Sequence, residues 1–274
     1  MSSLYLTSLN SGSNGNCYYI GNENEAVLID AGLSCRETEK RMYRLGLAMK
    51  KVKAIFISHE HGDHIKGLEV LSRKHQLPVY ISPGTLHYSG LKLDRNLVRP
   101  LSAGAAITIG ALVVNAFQKF HDAADPHSFT VENNHTCVGI FTDIGKVCDN
   151  VTSHFKRCHA AFLEANYDEA LLENGPYPYH LKKRIRGGRG HLSNKEALDL
   201  FLSSRPAYIT HLFLSHLSAE NNDPDLARDL FHRQATNTNI VIASRYQETP
   251  VYTVCGSKAL CPDSPLPLGQ LTLF

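Results

Sequence analysis

The chain has 274 residues, of which 43% are hydrophobic and 20% are charged, and its formal net charge is +2. This length allows one or two domains, and this composition indicates a soluble globular protein rather than a disordered or fibrous one. No apolar run approaches the roughly 20 residues of a membrane span. The first residues lack the pattern of a signal peptide, and seven unpaired-looking cysteines favour free thiols in a reducing compartment. We therefore expect a cytoplasmic protein with no membrane association.

Short apolar runs typical of strands alternate with helical patterns along the chain. The spacing of Ile65, Leu68 and Leu71 predicts a helix face. Ser193 and Glu196 have the spacing of a capping box that opens a helix to about residue 203, and Asp223 before a proline opens another to about residue 234. The pattern predicts a layered α/β domain, with strands over residues 26–30, 52–58, 78–81, 111–117, 137–142, 161–164 and 207–214.

The chain is expected to consist of a catalytic domain and a tail. Residues 1–255 carry the alternating pattern, which predicts one domain. Residues 256–274 are rich in proline and turn-forming residues, which indicates a linker or tail.

One short segment carries most of the chemistry. His59, His61, Asp63 and His64 lie within six residues at the end of a predicted strand. Imidazole and carboxylate ligands together suit zinc, manganese or iron better than calcium. The segment contains no cysteine, which argues against a closed structural zinc site. The spacing therefore predicts a catalytic metal centre rather than a solvated histidine-rich turn.

This segment resembles the defining His-x-His-x-Asp-His motif of the metallo-β-lactamase superfamily. The motif follows a buried strand, and an earlier strand ends in Asp30-Ala31-Gly32, as in that family. The resemblance implies an α/β fold of the four-layer αββα sandwich type. It also implies that Asp30 supports the metal loop without binding a metal.

The resemblance further implies a centre of two divalent ions, zinc or manganese and possibly iron. Each later element of the family pattern has a candidate, because His121, Asp143 and His216 each follow a predicted strand. His211 competes with His216, which is favoured because it leaves the strand and enters a turn. One ion would be held by His59, His61 and His121 and the other by Asp63, His64 and His216, with Asp143 bridging the two.

Two further segments are candidates for phosphate binding. The polar loop of residues 11–17 contains glycines that can bring backbone N–H groups close to a phosphate, although a plain hairpin turn is an equal alternative. The segment 182–194 is basic and precedes a helix start, which suits phosphate oxygens; a solvated basic loop is the alternative. The candidate phosphate contacts are Ser13, Asn16, Arg184, Arg186, Arg189 and Ser193.

A histidine in the basic segment has a candidate partner on a strand. Glu164 could orient His191, a pairing familiar from ribonuclease Z relatives in the superfamily. We interpret His191 as a phosphate-stabilising or acid residue rather than a metal ligand. Together with Asp63 of the metal motif, these two residues form the predicted catalytic group.

Residues 11–16, 121–126, 190–194 and 216–222 narrow the resemblance to the YycJ/WalJ-type branch. Asn14 departs from that branch, which usually has a small residue there. Bacterial members of the branch resemble DNA exonucleases linked to mismatch repair. The resemblance thus implies a two-metal phosphodiesterase acting on DNA.

The last five residues resemble the peptide by which bacterial repair proteins bind the DNA sliding clamp. Gln270 would anchor by hydrogen bonds, while Leu271, Leu273 and Phe274 would fill an apolar pocket. The alternative is a hydrophobic end packed on the core. With this motif, the sequence favours a DNA exonuclease in repair that is recruited by the clamp. The alternatives are a thioester or lactone hydrolase of the same fold, an RNA-processing nuclease, and a non-catalytic clamp-associated module.

Overall fold

A computed structural model describes residues 3–256, which form two seven-stranded sheets with helices on the outside. Nine α-helices lie in these residues. The strands are β1 Leu4–Asn10, β2 Cys17–Gly21, β3 Ala26–Ile29, β4 Val52–Phe56, β5 Val79–Ile81, β6 Val98–Pro100, β7 Ala106–Ile109, β8 Leu112–Gln118, β9 His127–Asn133, β10 Thr136–Phe141, β11 Ala160–Glu164, β12 His211–Ser215, β13 Asn239–Ile242 and β14 Tyr252–Val254. The helices are α1 Cys35–Arg44, α2 Gly62–Ile65, α3 Leu68–His75, α4 Pro83–Ser89, α5 Asp149–Phe155, α6 Glu169–Asn174, α7 Tyr179–Ile185, α8 Asn194–Ser204 and α9 Pro224–His232.

The two sheets have related topologies. The first has the order β14-β1-β2-β3-β4-β5-β6 and is parallel from β3 to β6. The second has the order β13-β12-β11-β10-β9-β8-β7 and is parallel from β10 to β13. The inner parallel strands are buried on both faces, which explains their nearly continuous apolar sequences. The carboxyl ends of the parallel strands of a sheet meet at one edge, where the site described below lies.

Three apolar clusters fill the spaces between four layers. The central cluster joins side chains of both sheets, among them Phe129, Phe162 and Phe213. A second packs the first sheet against α1 and α3, and a third packs the other sheet against α5, α8 and α9. The expected four-layer αββα sandwich of an α/β protein is confirmed. Within the described residues, no helix has the length and apolar character needed to cross a bilayer.

Most predicted elements form close to their predicted positions, with three corrections. The predicted strand over residues 207–214 begins only at His211, because the first four positions form a turn and loop. The helix predicted from Ile65 is two short helices, since α2 ends before Gly67 and α3 begins after it. The helix that begins after Asp223 ends at His232, two residues early. The capping box of Ser193 and Glu196 is present.

The cysteines differ in part from expectation. The free cysteines among the described residues are Cys17, Cys35, Cys137, Cys148 and Cys158. Cys255 is disulfide-bonded, so the expectation that the cysteines are free thiols is wrong at this position.

Candidate metal centre

The predicted ligands come from the ends of several strands in both sheets. The segment after β4 supplies His59 to His64, and the segment after β8 supplies His121. Asp143 and His216 follow β10 and β12, and both have positive φ angles, +55° and +56°. Left-handed backbone at non-glycine residues costs free energy and is concentrated at functional sites. These turns bring Asp143 next to His64 and His216.

Three imidazoles form the first group. His59 Nε2 lies 3.0 Å from His61 Nδ1, and His121 Nε2 lies 3.4 Å from the same atom. The far nitrogens are already bonded, because His59 Nδ1 contacts the Ser58 hydroxyl at 2.9 Å and His121 Nδ1 donates to the Gly190 carbonyl at 3.0 Å. Three imidazole nitrogens this close to one another could together hold a divalent cation.

A carboxylate and two imidazoles form the second group. Asp63 Oδ2 lies 3.3 Å from His64 Nε2 and 3.4 Å from His216 Nε2. Asp143 lies between the groups, with Oδ2 3.2 Å from His64 Nε2 and Oδ1 3.8 Å from His121 Nε2. Asp143 Oδ2 is buried, and apart from this ion-pair contact with His64 it has no hydrogen-bond partner in the described part of the chain. An orphaned carboxylate oxygen between two ligand clusters is where a bridging ligand would lie.

The protonation states of the cluster fit divalent cations. Burial lowers the pKa of His59 and lowers that of His121 to about 4, so both are neutral near pH 7. Burial also opposes charge on Asp143, but His216 and His64 outweigh it and hold the pKa of this carboxyl well below its usual range. In turn Asp143, against the effect of burial, raises the pKa of His216 to about 10. Metal binding at such sites displaces protons from the imidazoles.

Asp30 supports the centre from behind. Its buried carboxylate accepts hydrogen bonds from the Ser58 N–H at 2.8 Å, the Ser58 hydroxyl at 2.9 Å and His64 Nδ1 at 2.7 Å. This contact leaves His64 Nε2 facing Asp63 and Asp143. The role that the family resemblance implied for Asp30, support without metal binding, agrees with this geometry.

Close packing around residue 32 explains why the Asp-x-Gly pattern has glycine there. Its backbone packs against the carbonyl of Asp63, and a Cβ at Gly32 would overlap that oxygen. The same carbonyl accepts the Asn16 N–H at 2.7 Å. The two loops can therefore approach closely only with glycine at this position.

Glu164 links the metal cluster to His191. Glu164 is fully buried at the end of β11 and accepts hydrogen bonds from His191 Nδ1 at 2.8 Å and His216 Nδ1 at 3.0 Å. Burial opposes its ionisation, but His191 and His216 lower its pKa to about 2. His191 lines the open cavity. The structure thus brings together the predicted pair.

A cavity of about 270 Å³ opens over these groups. Its floor consists of predicted ligands, and its wall is made by α7 and the segment before it. Arg184 of α7 forms an ion pair with Asp122 at 2.6 Å, which ties this wall to the His121 loop. The other lining residues include Ser13, Asn166, Tyr177, Leu181, Ile185, Leu217 and Ser218.

The predicted phosphate contacts do not all face this cavity. Asn16 and Ser193 are fully buried, Asn16 bonding Asp63 and Ser193 capping α8, so neither can contact a phosphate here. Arg186 is ion-paired with Glu173 and lines no part of the cavity. Arg189 lines a neighbouring depression. Ser13 and Arg184 remain at the cavity.

The sequence reasoning missed Asn166, which also lines the cavity. Its side-chain amide donates to the His216 carbonyl at 2.7 Å. Asn166 lies two residues after a strand that ends in Glu164, and this position in the sequence could have indicated a site residue. The structure places His216 with the cluster, whereas His211 opens β12 at the far end of that strand.

Comparisons with known proteins agree with this geometry. Residues 11–141 match the family described as the metallo-beta-lactamase superfamily. A protein named exodeoxyribonuclease YycJ, from Bacillus anthracis, is 37% identical over 82% of this chain and 86% of its own length. The chain belongs to the metallo-beta-lactamase superfamily. Within this superfamily it lies in the YycJ/WalJ-like branch, and it is a metal-dependent hydrolase.

Two further comparisons extend over nearly the whole chain. A protein named exodeoxyribonuclease WalJ, from Streptococcus pneumoniae, is 29% identical over 96% of both chains. The crystal structure of the metallo-beta-lactamase fold protein YhfI from Bacillus subtilis superposes with a TM-score of 0.71. It covers 92% of this chain and 100% of that one at 16% identity, so it supports the fold alone.

Proposed function

We propose that the chain is an exodeoxyribonuclease that hydrolyses DNA phosphodiesters at a centre of two divalent ions. The observation that carries the proposal is the pair of ligand groups with Asp143 between them, in a chain whose relatives are named exodeoxyribonucleases. Residues 1–255 would form the catalytic domain. One ion is assigned to His59, His61 and His121, and the other to Asp63, His64 and His216.

The residues above the metal centre would handle the substrate. When bound, the two ions supply Lewis acidity for attack of water on the phosphodiester. Glu164 accepts from His191 Nδ1 and so fixes the ring, leaving Nε2 as the nitrogen available to a phosphate or leaving oxygen. Arg184 and Ser13 lie on the cavity wall, where they can bind phosphate oxygens.

The size of the cavity favours action at a chain end. Its volume of about 270 Å³ is below the usual range of about 300–1,000 Å³ for ligand pockets. A single nucleotide suits such a space better than a continuous duplex. Residues of α7 form one wall of this space.

Digestion of end-labelled single- and double-stranded DNA and RNA, with zinc, manganese or iron supplied, tests the proposal. We expect stepwise release of mononucleotides from DNA. Degradation of RNA alone would identify an RNA-processing nuclease. Turnover of a thioester or lactone panel without DNA hydrolysis would identify a small-molecule hydrolase. Binding of two metals without turnover of any of these substrates would indicate a non-catalytic module.

We also propose that the tail recruits the enzyme to the bacterial DNA sliding clamp during repair in the cytoplasm. The motif of Gln270, Leu271, Leu273 and Phe274 lies outside the described residues, so this proposal rests on the sequence. Tethering to a clamp on DNA would raise the local concentration of enzyme at its substrate.

Binding of purified clamp to the full chain and to a chain lacking residues 270–274 tests this recruitment. We expect deletion to abolish binding while digestion of short oligonucleotides continues. Replacing Leu273 and Phe274 by alanine should have the same effect, because apolar anchors carry most of the affinity of such peptides. Unchanged clamp binding after deletion would refute the assignment.

A further inference from the structure

We propose that Arg245, Ser13 and Tyr246 form a second nucleotide subsite beside the metal cavity. The subsite would hold the nucleotide next to the one being removed. This inference rests on the proposed nuclease function and extends it to the DNA strand outside the central cavity.

Arg245 has an unused guanidinium nitrogen. Its Nη2 donates to the Ser13 hydroxyl at 3.2 Å, whereas its Nη1 is buried and has no hydrogen-bond partner among residues 3–256. A buried guanidinium nitrogen without an acceptor is costly and therefore indicates an acceptor that the protein itself does not provide. Arg184 belongs to the central cavity and Arg186 is ion-paired with Glu173, which leaves Arg245 as the cation that lines the adjoining cavity.

The loop beside Arg245 is held in place by the surrounding protein. The Ser11 N–H donates to the Ser244 carbonyl at 3.1 Å, and the Asn14 amide donates to the Arg245 carbonyl at 2.8 Å. Arg41 donates to the carbonyl of Tyr246 at 3.1 Å. Because these bonds fix residues 11–14 and residues 244–246, little ordering would be needed when a phosphate binds between the two segments.

The subsite is continuous with the metal cavity. Ser13 lines the central cavity together with Asp63 and His216. Arg245 and Tyr246 line an adjoining cavity of about 190 Å³, and the two cavities share Leu217 and Ser218 in their walls. A strand whose last phosphodiester lies over the metal ligands would therefore meet Arg245 next.

The surroundings of Arg245 suit a nucleobase as well as a phosphate. Tyr246 is 77% exposed, and the guanidinium of Arg245 lies 6.0 Å from the centre of its ring. Pro224, Ile242 and Ala243 add apolar surface to the adjoining cavity. Aromatic stacking surfaces combined with cations are the usual means of binding single-stranded nucleic acid. The ligand is thus a nucleotide of a single strand.

Binding of a nuclease-resistant single-stranded oligonucleotide to the full chain tests the subsite. Arg245→Gln should weaken binding about tenfold, and because one phosphate contact is lost, the slope of log affinity against log salt should fall by about 0.7. Tyr246→Leu should weaken binding about tenfold without changing the salt slope, whereas Tyr246→Phe should bind as tightly as the wild type because the aromatic ring is kept. Arg99→Gln is the matched control, because Arg99 is exposed and, within residues 3–256, its guanidinium bonds only nearby backbone carbonyls.

The possible outcomes separate this inference from the proposed function. Arg245→Gln should also lower the ratio of kcat/KM on oligonucleotides to kcat/KM on a small phosphodiester such as bis(p-nitrophenyl) phosphate. If Arg245→Gln binds with the affinity and salt slope of Arg99→Gln, the subsite is refuted even when DNA is digested. If the wild type binds the oligonucleotide through Arg245 but digests no DNA, the subsite stands and the proposed activity fails.

Discussion

Replacing Asp30 by asparagine should weaken metal binding without removing a proposed ligand. The Asp30 carboxylate accepts three hydrogen bonds of 2.7–2.9 Å, one of them from His64 Nδ1. Asparagine keeps an acceptor for the Ser58 N–H but places an amide donor towards His64. The imidazole then loses the acceptor that fixes its tautomer, and Nε2 is no longer held ready for a metal.

The expected magnitude follows from the lost contact. Partners of metal-binding histidines typically contribute 10–100-fold to metal affinity, which equals about 1.4–2.8 kcal/mol. The loss of a buried hydrogen bond to a charged group should lower the free energy of unfolding of the metal-free protein by roughly 1.5–3 kcal/mol. Chelator competition measures the first quantity, and urea denaturation measures the second.

Ser72→Ala provides a matched control for Asp30→Asn. The buried Ser72 hydroxyl donates to the Leu77 carbonyl at 2.8 Å, and neither residue belongs to a proposed ligand group. Its removal should cost about 1 kcal/mol of stability and leave metal affinity unchanged. If Asp30→Asn binds both metal equivalents as tightly as the wild type, Asp30 does not orient His64 and the reasoning is wrong.

Three other substitutions test separate parts of the site. His191→Ala should slow DNA turnover while metal content measured by elemental analysis stays near two per chain; loss of a full equivalent would make His191 a ligand. Gly32→Ala should destabilise the protein by about 1–3 kcal/mol through overlap with a backbone carbonyl. Gly62→Ala should be tolerated, because a Cβ there meets no atom within 4 Å. Equal melting temperatures of the two variants would contradict this prediction. Because the pKa of Glu164 is lowered, its carboxylate stabilises the metal-free protein at pH values above the ordinary pKa of 4.5. This stabilisation is lost as the pH falls from 4.5 towards 2. Glu164→Gln should therefore reduce the loss of unfolding free energy over that range, and an unchanged pH dependence would show that the pKa is not lowered.

Local sequence patterns were sufficient to predict several elements. The buried parallel strands β3, β4, β10 and β11 appear as short apolar runs because both of their faces are covered. The helix after Ser193 is specified by a capping box, which depends only on residues three apart. The strand predicted over residues 207–214 was wrong only at its first four positions, which form a turn and loop, because an apolar run alone does not fix where a strand begins.

The sequence by itself determined which residue types could form a metal centre and in what order they occur. The run from His59 to His64 and the strand-ending positions of His121, Asp143 and His216 required no coordinates. Only the tertiary structure decided which polar side chains face the cavity. Asn16 and Ser193 have suitable chemistry but are buried, whereas Arg245 lies more than 200 residues from Ser13 in sequence and contacts it. The physical reason is that solvent exposure and contacts between distant segments depend on how the two sheets and their loops pack, which no local pattern encodes.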